Sequence, residues 1–188
     1  MTVNLVKGQN TPLNSGLTKV RVGLGWDPRV EPGIEFDLDA SAFLLGANSK
    51  VRSDSDFIFY NHPKSACGSV VSSGDNRTGE GDGDDETILV DLSLVPSDVE
   101  RIVFTATIYK ALERKQNFGM VDSAFIRLVD DSNGEEQIKF ELTEDACVNS
   151  ALVFGELYRR NGVWKFRALA QGFDLELAGL AKNFGVNV

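Results

Sequence analysis

The stretch Phe154-Gly155-Glu156-Leu157-Tyr158-Arg159-Arg160-Asn161-Gly162-Val163-Trp164-Lys165-Phe166-Arg167-Ala168-Leu169-Ala170 decides the fold. Two strand-like runs, Phe154–Arg159 and Val163–Ala170, flank Asn161-Gly162. An Asn-Gly pair suits the type I′ turn because both central residues need positive φ, which glycine and asparagine tolerate best. The same reading predicts a second hairpin, with Ala124–Val129 and Gln137–Leu142 flanking Asn133-Gly134.

Outward from these hairpins the dominant hydrophobic period is two, the mark of strands with one buried face. Val20, Val22, Leu24 and Trp26 alternate with Arg21, Gly23 and Gly25. Ile34, Phe36, Leu38 and Ala40 alternate with Glu35, Asp37, Asp39 and Ser41. The run Ile102–Tyr109 is apolar or Thr on both sides, which predicts a central strand covered on both faces. Helical signals are few. Asp174 is placed to cap a C-terminal helix whose Leu177, Leu180, Ala181 and Phe184 form one stripe, with Gly185 placed to end it. That stripe is expected to pack against the sheet edge; short helices around Ser97–Glu100 or Thr143–Asn149 are further options. Together these predict an all-β fold: a β-sandwich of two mainly antiparallel sheets with short helices, in one domain over residues 1–188.

A net charge of -9 argues against nucleic acid and against direct attraction to anionic lipid, since phosphates are repelled. A bridging cation would lift the second exclusion. No apolar run approaches the roughly 20 residues of a membrane helix, and the first residues lack the basic start and apolar stretch of a secretory signal. Cys67 and Cys147 form no CxxC pair and are read as free thiols of a reducing cytosol, so the expected location is cytoplasmic.

The chemistry concentrates in Asp75-Asn76-Arg77-Thr78-Gly79-Glu80-Gly81-Asp82-Gly83-Asp84-Asp85-Glu86, six carboxylates against one Arg with three glycines interleaved. Two unit charges about 7 Å apart repel by roughly 0.6 kcal/mol in water and about 2.4 kcal/mol at an effective dielectric near 20. Six held close call for a counter-charge, and the glycines let the backbone bend so that carboxylate and main-chain oxygens converge. Six to eight hard oxygen ligands in a flexible arrangement suit calcium better than magnesium, which demands a tighter octahedron. A solvated acidic loop is the plain alternative, but strand-like Gly68–Ser72 and Thr87–Leu92 frame this one. The EF-hand template fails, with Arg77 at the third position and Glu80 where the sharp-turn Gly belongs. One echo of a calcium β-helix repeat also fails, because such repeats must stack. Asp37 and Asp39, on the same side of a strand and roughly 6.5–7 Å apart, are expected to complete the site. Asp27 stands ready after Gly23-Leu24-Gly25-Trp26, and Asp56 and Asn61 supply further oxygens. The candidate metal ligands are therefore Asp27, Asp37, Asp39, Asp75, Asn76, Asp82, Asp84, Asp85 and Glu86, for one or two calcium ions.

Catalytic signatures are missing. The single histidine, His62, is read as a turn or surface residue, with no GxSxG elbow, P-loop or GxGxxG after a strand. A metal-dependent hydrolase is the weakest of the candidate functions.

Several segments carry a resemblance: Gly23-Leu24-Gly25-Trp26-Asp27, Phe36-Asp37-Leu38-Asp39-Ala40-Ser41, Asp56-Phe57-Ile58-Phe59-Tyr60-Asn61 and Gly74 through Glu86. Phe154-Gly155-Glu156-Leu157-Tyr158-Arg159 and Trp164-Lys165-Phe166-Arg167-Ala168 continue it over nearly the whole chain. The chain resembles the TerD family of bacterial tellurium-resistance and general stress proteins. The resemblance implies a calcium-binding β-sandwich with the acidic loop and the Asp37/Asp39 strand as ligand-bearing segments. It also implies a role in tellurite resistance alongside other Ter proteins, one of them membrane-embedded, and hence a peripheral place at the inner membrane. The expected function is that of a calcium-dependent sensor or scaffold and not a catalyst, with calcium-dependent lipid docking as the alternative.

Overall fold

The computed structural model describes residues 2–28, 36–73, 83–142 and 148–188, and of Asp27, Pro28 and Asp122 the backbone only. Its strands are β1 (Val3–Leu5), β2 (Asn10–Pro12), β3 (Lys19–Pro28), β4 (Leu38–Leu45), β5 (Phe57–Ile58) and β6 (Val70–Ser72). They continue with β7 (Glu86–Asp91), β8 (Arg101–Ile108), β9 (Val121–Asp130), β10 (Glu136–Glu141), β11 (Ala151–Arg160) and β12 (Val163–Phe173). Two short helices, α1 (Ala111–Arg114) and α2 (Leu177–Asn183), and two 3-10 turns, Asp54–Asp56 and Phe118–Met120, complete the described elements.

One six-stranded sheet runs β1-β10-β9-β3-β7-β6 and the other β2-β12-β11-β8-β4-β5. Every described pairing is antiparallel except β1 on β10. Val22 and Leu24 of β3, Ile88 of β7 and Ile126 of β9 meet Leu38, Ala40 and Phe104 of the other sheet in one core. Alternation drives this: the period-two apolar face of each strand turns inward. The expected two-sheet sandwich is the observed one.

β8 is central, between β11 and β4, and both faces are covered as its sequence predicts. Ile102, Phe104 and Ala106 face the other sheet. Val103 turns outward, into a second cluster formed with Phe43, Phe57 and Val153 beneath Leu180 and Ala181 of α2. Phe184, just after α2, packs on Phe43 with the rings tilted by 33° and their centroids 4.5 Å apart. The C-terminal helix thus lies on the outer face of the sheet, not against its edge. Its predicted cap also differs: Glu176 holds the N-cap position, while Asp174 accepts a hydrogen bond from Asn149 Nδ2 at 3.0 Å. Gly185, at φ +89°, follows the helix as expected.

The two hairpins part ways. Asn161 and Gly162 both have positive φ, at 54° and 76°, and join β11 to β12 by a two-residue turn. Between β9 and β10 the connection is longer, and Gly134 has positive φ while Asn133 does not. Asp130 explains the difference. Its carboxylate accepts from Ser132 N (2.9 Å), Ser132 Oγ (2.6 Å) and Asn133 Nδ2 (3.2 Å), which folds the chain into a wider turn.

The strand read from Ile34 onward also shifts. Residues 29–35 lie outside the described residues, and β4 begins only at Leu38 and continues through Leu45, buried throughout. Ser97–Glu100 forms no helix, most of Thr143–Asn149 lies outside the described residues, and α1 was not anticipated.

Candidate functional site

The start of β4, the start of β7, the end of β3 and the start of β9 share one end of the sandwich. The register fixes this: Leu24 pairs with Glu86 and with Ile126, and Asp39 pairs with Thr107 near the end of β8. The acidic segment of the sequence lies between β6 and β7, antiparallel neighbours in the same sheet. Asp75, Asn76 and Asp82 lie outside the described residues, as does the side chain of Asp27, whose backbone pairs with Asp122.

The three described carboxylates that close this segment go three different ways. Asp84 lies over β3, where Gly23 has no side chain; a β-carbon there would overlap the Asp84 carboxylate. From that position Asp84 Oδ1 accepts a hydrogen bond from Arg127 Nε at 2.6 Å, on the strand beside β3 where Arg127 pairs with Gly23. The Asp84 hydrogen bond raises the Arg127 pKa, opposed by burial and aided by the charges of Asp84 and Glu136. Asp85 turns to the bulge in β3, where the Trp26 N–H donates to Asp85 Oδ2 at 2.9 Å. Gly25 makes room beside it: a β-carbon there would overlap the Phe125 ring and come within 2.9 Å of the Gly83 carbonyl oxygen.

Glu86 turns inward. It is 5% exposed, on the core face of β7, and its Oε2 accepts a short hydrogen bond from the Ala40 N–H of β4. β5 covers β4 at Ala42 and Phe43, so Glu86 takes up an edge donor of β4 beyond the point where β5 ends. This contact ties the end of the acidic segment to the strand that carries Asp39. Asp39 is 8% exposed, and Asp37 is half-buried just ahead of β4, its carbonyl accepting from Tyr109 N at 2.8 Å. The two acidic segments of the sequence therefore abut. Their carboxylates do not share one point: among the described residues no group of three or more His, Cys, Asp or Glu is placed to hold a metal ion together.

Asp56 is buried and bound by Arg52, with Nε to Oδ2 at 2.7 Å and Nη2 to Oδ1 at 2.8 Å. Asp56 is thus an ion-pair partner of Arg52, and Asn61 lies in the turn closed by the backbone bonds of Phe59 and His62. His62, read as a turn or surface residue, closes that turn by bridging to Phe59 and is half-buried, not at the surface. Cys67 is half-buried and free, near the other end of β7, where Asp91 N donates to Ser69 O; Cys147 lies outside the described residues. Burial works to raise the Cys67 pKa, but hydrogen bonds with Ser65 and Ser69 and the Arg52 charge outweigh it, leaving the thiol more acidic than usual.

Calcium fits this donor set in kind. Asp37, Asp39, Asp84, Asp85 and Glu86 offer hard carboxylate oxygens from two chain segments at one end of the sandwich, with no thiol or imidazole among them. Arg127 was invisible as a site residue in the sequence, where it is one cation on the outer face of a strand. Its signal was the pair of glycines in β3, which leave space for something to lie across.

The TerD domain model matches residues 1–184. The chain belongs to the TerD family. It is 55% identical to the tellurium resistance protein TerD of Alcaligenes sp, over 100% of this chain and 99% of that protein. It is 50% identical to general stress protein 16U of Bacillus subtilis (strain 168), over the full length of both. Among solved structures, a homologue of telluride resistance protein (TerD) from Streptomyces coelicolor A3(2) superimposes with a TM-score of 0.65 at 22% identity. That match covers 88% of this chain and 96% of the other, and it is a likeness of fold. The TerD family is thus one of tellurium-resistance and stress-response proteins, named for those phenotypes and not for a reaction. Among the described residues no helix is long and apolar enough to cross a membrane.

Proposed function

We propose that this TerD-family chain is a calcium-binding stress-response protein that acts as a calcium-dependent sensor or scaffold in a complex with other Ter-family proteins, and not as a catalyst. The observation that carries the reading is the hydrogen bond from Ala40 N–H to Glu86, which joins the end of the acidic segment to the Asp37/Asp39 strand. Carboxylates from two segments, several of them sheltered from water, form an end that a divalent cation would stabilise. The proposed ligands are Asp37, Asp39, Asp84, Asp85 and Glu86 together with Asp27, Asp75, Asn76 and Asp82. Calcium would order the acidic segment and change the surface offered to a partner.

Tellurite is an anion, and an acidic end is a poor place to bind it. Reduction of tellurite by thiol would call for a resolving pair, and among the described residues Cys67 has no second thiol beside it, only the hydroxyls of Ser65 and Ser69. Resistance is accordingly read as indirect. Calorimetry and thermal melting with and without calcium test the reading. Heat of binding and a higher melting temperature are expected, both lost on Asp37→Asn with Asp39→Asn. Absence of both in the unaltered protein would refute it, and catalytic consumption of tellurite by the purified chain would remove the indirect role.

A further inference from the structure

The segment Tyr109–Met120 leaves β8 at the same end as the acidic residues. Tyr109 N donates to the Asp37 carbonyl at 2.8 Å, so the segment begins against the carboxylate-bearing strand. Three of its residues anchor it: Ala111, Gln116 and Phe118 are buried, and Phe118 N donates to Asn149 O at 3.0 Å. With those anchors set, the run from Leu112 to Lys115 stays exposed. Tyr109 and Met120 are exposed, Leu112 is 61% exposed, and Val148, next to Asn149, is 76% exposed.

These apolar groups sit among cations. Lys110, Arg114 and Lys115 are all exposed, against Glu113 as the one carboxylate of the segment, in a chain whose net charge is -9. Lys110 Nζ and Arg114 Cζ each lie 5.7 Å from the Tyr109 ring centroid, so charge and aromatic surface are held together. Lys110 forms an ion pair with Glu113 at 3.7 Å. Exposed Leu and Tyr with flanking Lys and Arg is the composition that enters a lipid interface: the apolar tips reach the acyl boundary while the cations meet phosphates.

We propose that this end of the sandwich docks on an anionic lipid bilayer through Leu112 and Tyr109, with Lys110, Arg114 and Lys115 on the headgroup phosphates. The proposal rests on the calcium reading for its calcium dependence. Asp37, Asp39, Asp84, Asp85 and Glu86 lie at the same end and would repel anionic lipid across a Debye length of about 8 Å. A bound divalent cation would offset that repulsion and leave the basic segment to set the local field. This supplies the exposed basic and aromatic loop that the sequence alone did not reveal.

The test is co-sedimentation of the full chain with vesicles of phosphatidylcholine, alone or mixed with phosphatidylglycerol, in calcium or in EGTA. Thermal melting with calcium runs in parallel. Binding to the anionic vesicles in calcium, and not to the neutral ones, is expected. Leu112→Asp should weaken it about tenfold or more, and Lys110→Gln with Arg114→Gln about fivefold per cation removed, while all variants keep the calcium-induced rise in melting temperature. A melting shift without anionic vesicle binding overturns the docking and leaves the calcium reading standing. Equal anionic binding in EGTA and in calcium, without a melting shift, keeps the lipid surface and overturns the calcium reading. Binding unchanged in Leu112→Asp overturns the assignment of the surface. Sedimentation with native membranes but not with pure lipid transfers this face to a protein partner and also overturns the proposal.

Discussion

Replacing Arg127 by methionine keeps the aliphatic stem and removes the charge facing Asp84. The Asp84 side chain is 8% exposed and that of Arg127 30%, with nitrogen and oxygen 2.6 Å apart. Two unit charges about 4 Å apart interact by about 1 kcal/mol in water and about 4 kcal/mol at an effective dielectric near 20. A pair sheltered on one side falls between these limits. Leaving the Asp84 oxygen without its donor brings the cost to about 2 kcal/mol. The second contact, Arg127 Nη1 to Glu136 at 3.3 Å, involves a more exposed carboxylate and adds little. In a chain of 188 residues this lowers the melting temperature by about 4–8 °C in calcium-free buffer. The decisive assay is the double-mutant cycle with Asp84→Asn, followed by urea unfolding. Because Asp84→Asn removes the stranded charge, the double variant should be more stable than the sum of the single losses allows, by about 1–2 kcal/mol. Calcium should also stabilise Arg127→Met more than the unaltered protein, since the guanidinium no longer competes with the cation for Asp84. Additive single effects would refute the pairing argument, and an identical calcium response would remove Asp84 from the ligand set.

Gly23→Ala puts a β-carbon where the Asp84 carboxylate lies; it should cost about as much as Arg127→Met and show little further loss when the two are combined, measured by thermal melting. Leu180→Ala removes a fully buried contact between α2 and the outer face of its sheet, and a loss of about 2–5 kcal/mol is expected in urea unfolding. The Asp130 carboxyl is held below its usual range by the Ser132 hydroxyl first and then by the Ser132 N–H. Its contribution is therefore present above the ordinary carboxylate pKa and is lost as pH falls through the lowered one; Ser132→Ala should move the Asp130 titration upward, as read by carboxyl NMR. Cys67 should react with iodoacetamide at neutral pH faster than an ordinary cysteine of equal exposure, and Ser69→Ala should slow it.

What the sequence could and could not reveal follows from where each signal resides. Alternation in β3 and the Asn161-Gly162 turn are local properties, and both appear in the structure. β4 is different. Leu38, Ala40, Ala42 and Leu44 enter the core between the sheets, while Phe43 and Leu45 lie under α2. With both faces covered, the strand has little alternation after Ser41, so the polar–apolar pattern ahead of it drew the predicted strand too early. At Asn133-Gly134 the turn chemistry was right in kind, but the Asp130 carboxylate competed for the neighbouring donors. The parallel pairing of β1 with β10 is a long-range choice with no local mark.

The candidate site divides along the same line. That Asp37, Asp39 and Asp84 to Glu86 are acidic is plain in the sequence, and their segments do abut. Their directions depend on register. Glu86 pairs with Leu24 on the inward-facing phase of β7 and so reaches β4 between the sheets, whereas Asp84 precedes the strand and crosses the glycine gap to Arg127. Two residues apart, they serve different faces of one sheet. A cation at this end would therefore have to draw on groups that already have protein partners: Asp84 with Arg127, Asp85 with Trp26 N–H, Glu86 with Ala40 N–H. Each such exchange links occupancy of the proposed centre to a backbone or ion-pair contact of β3, β4 or β9. β4 is reached through Ala40 and also through Asp37, whose carbonyl holds the first residue of the exposed basic segment. Calcium binding that shifts β4 would thus act directly on the Tyr109–Met120 surface, a coupling through one strand and one hydrogen bond.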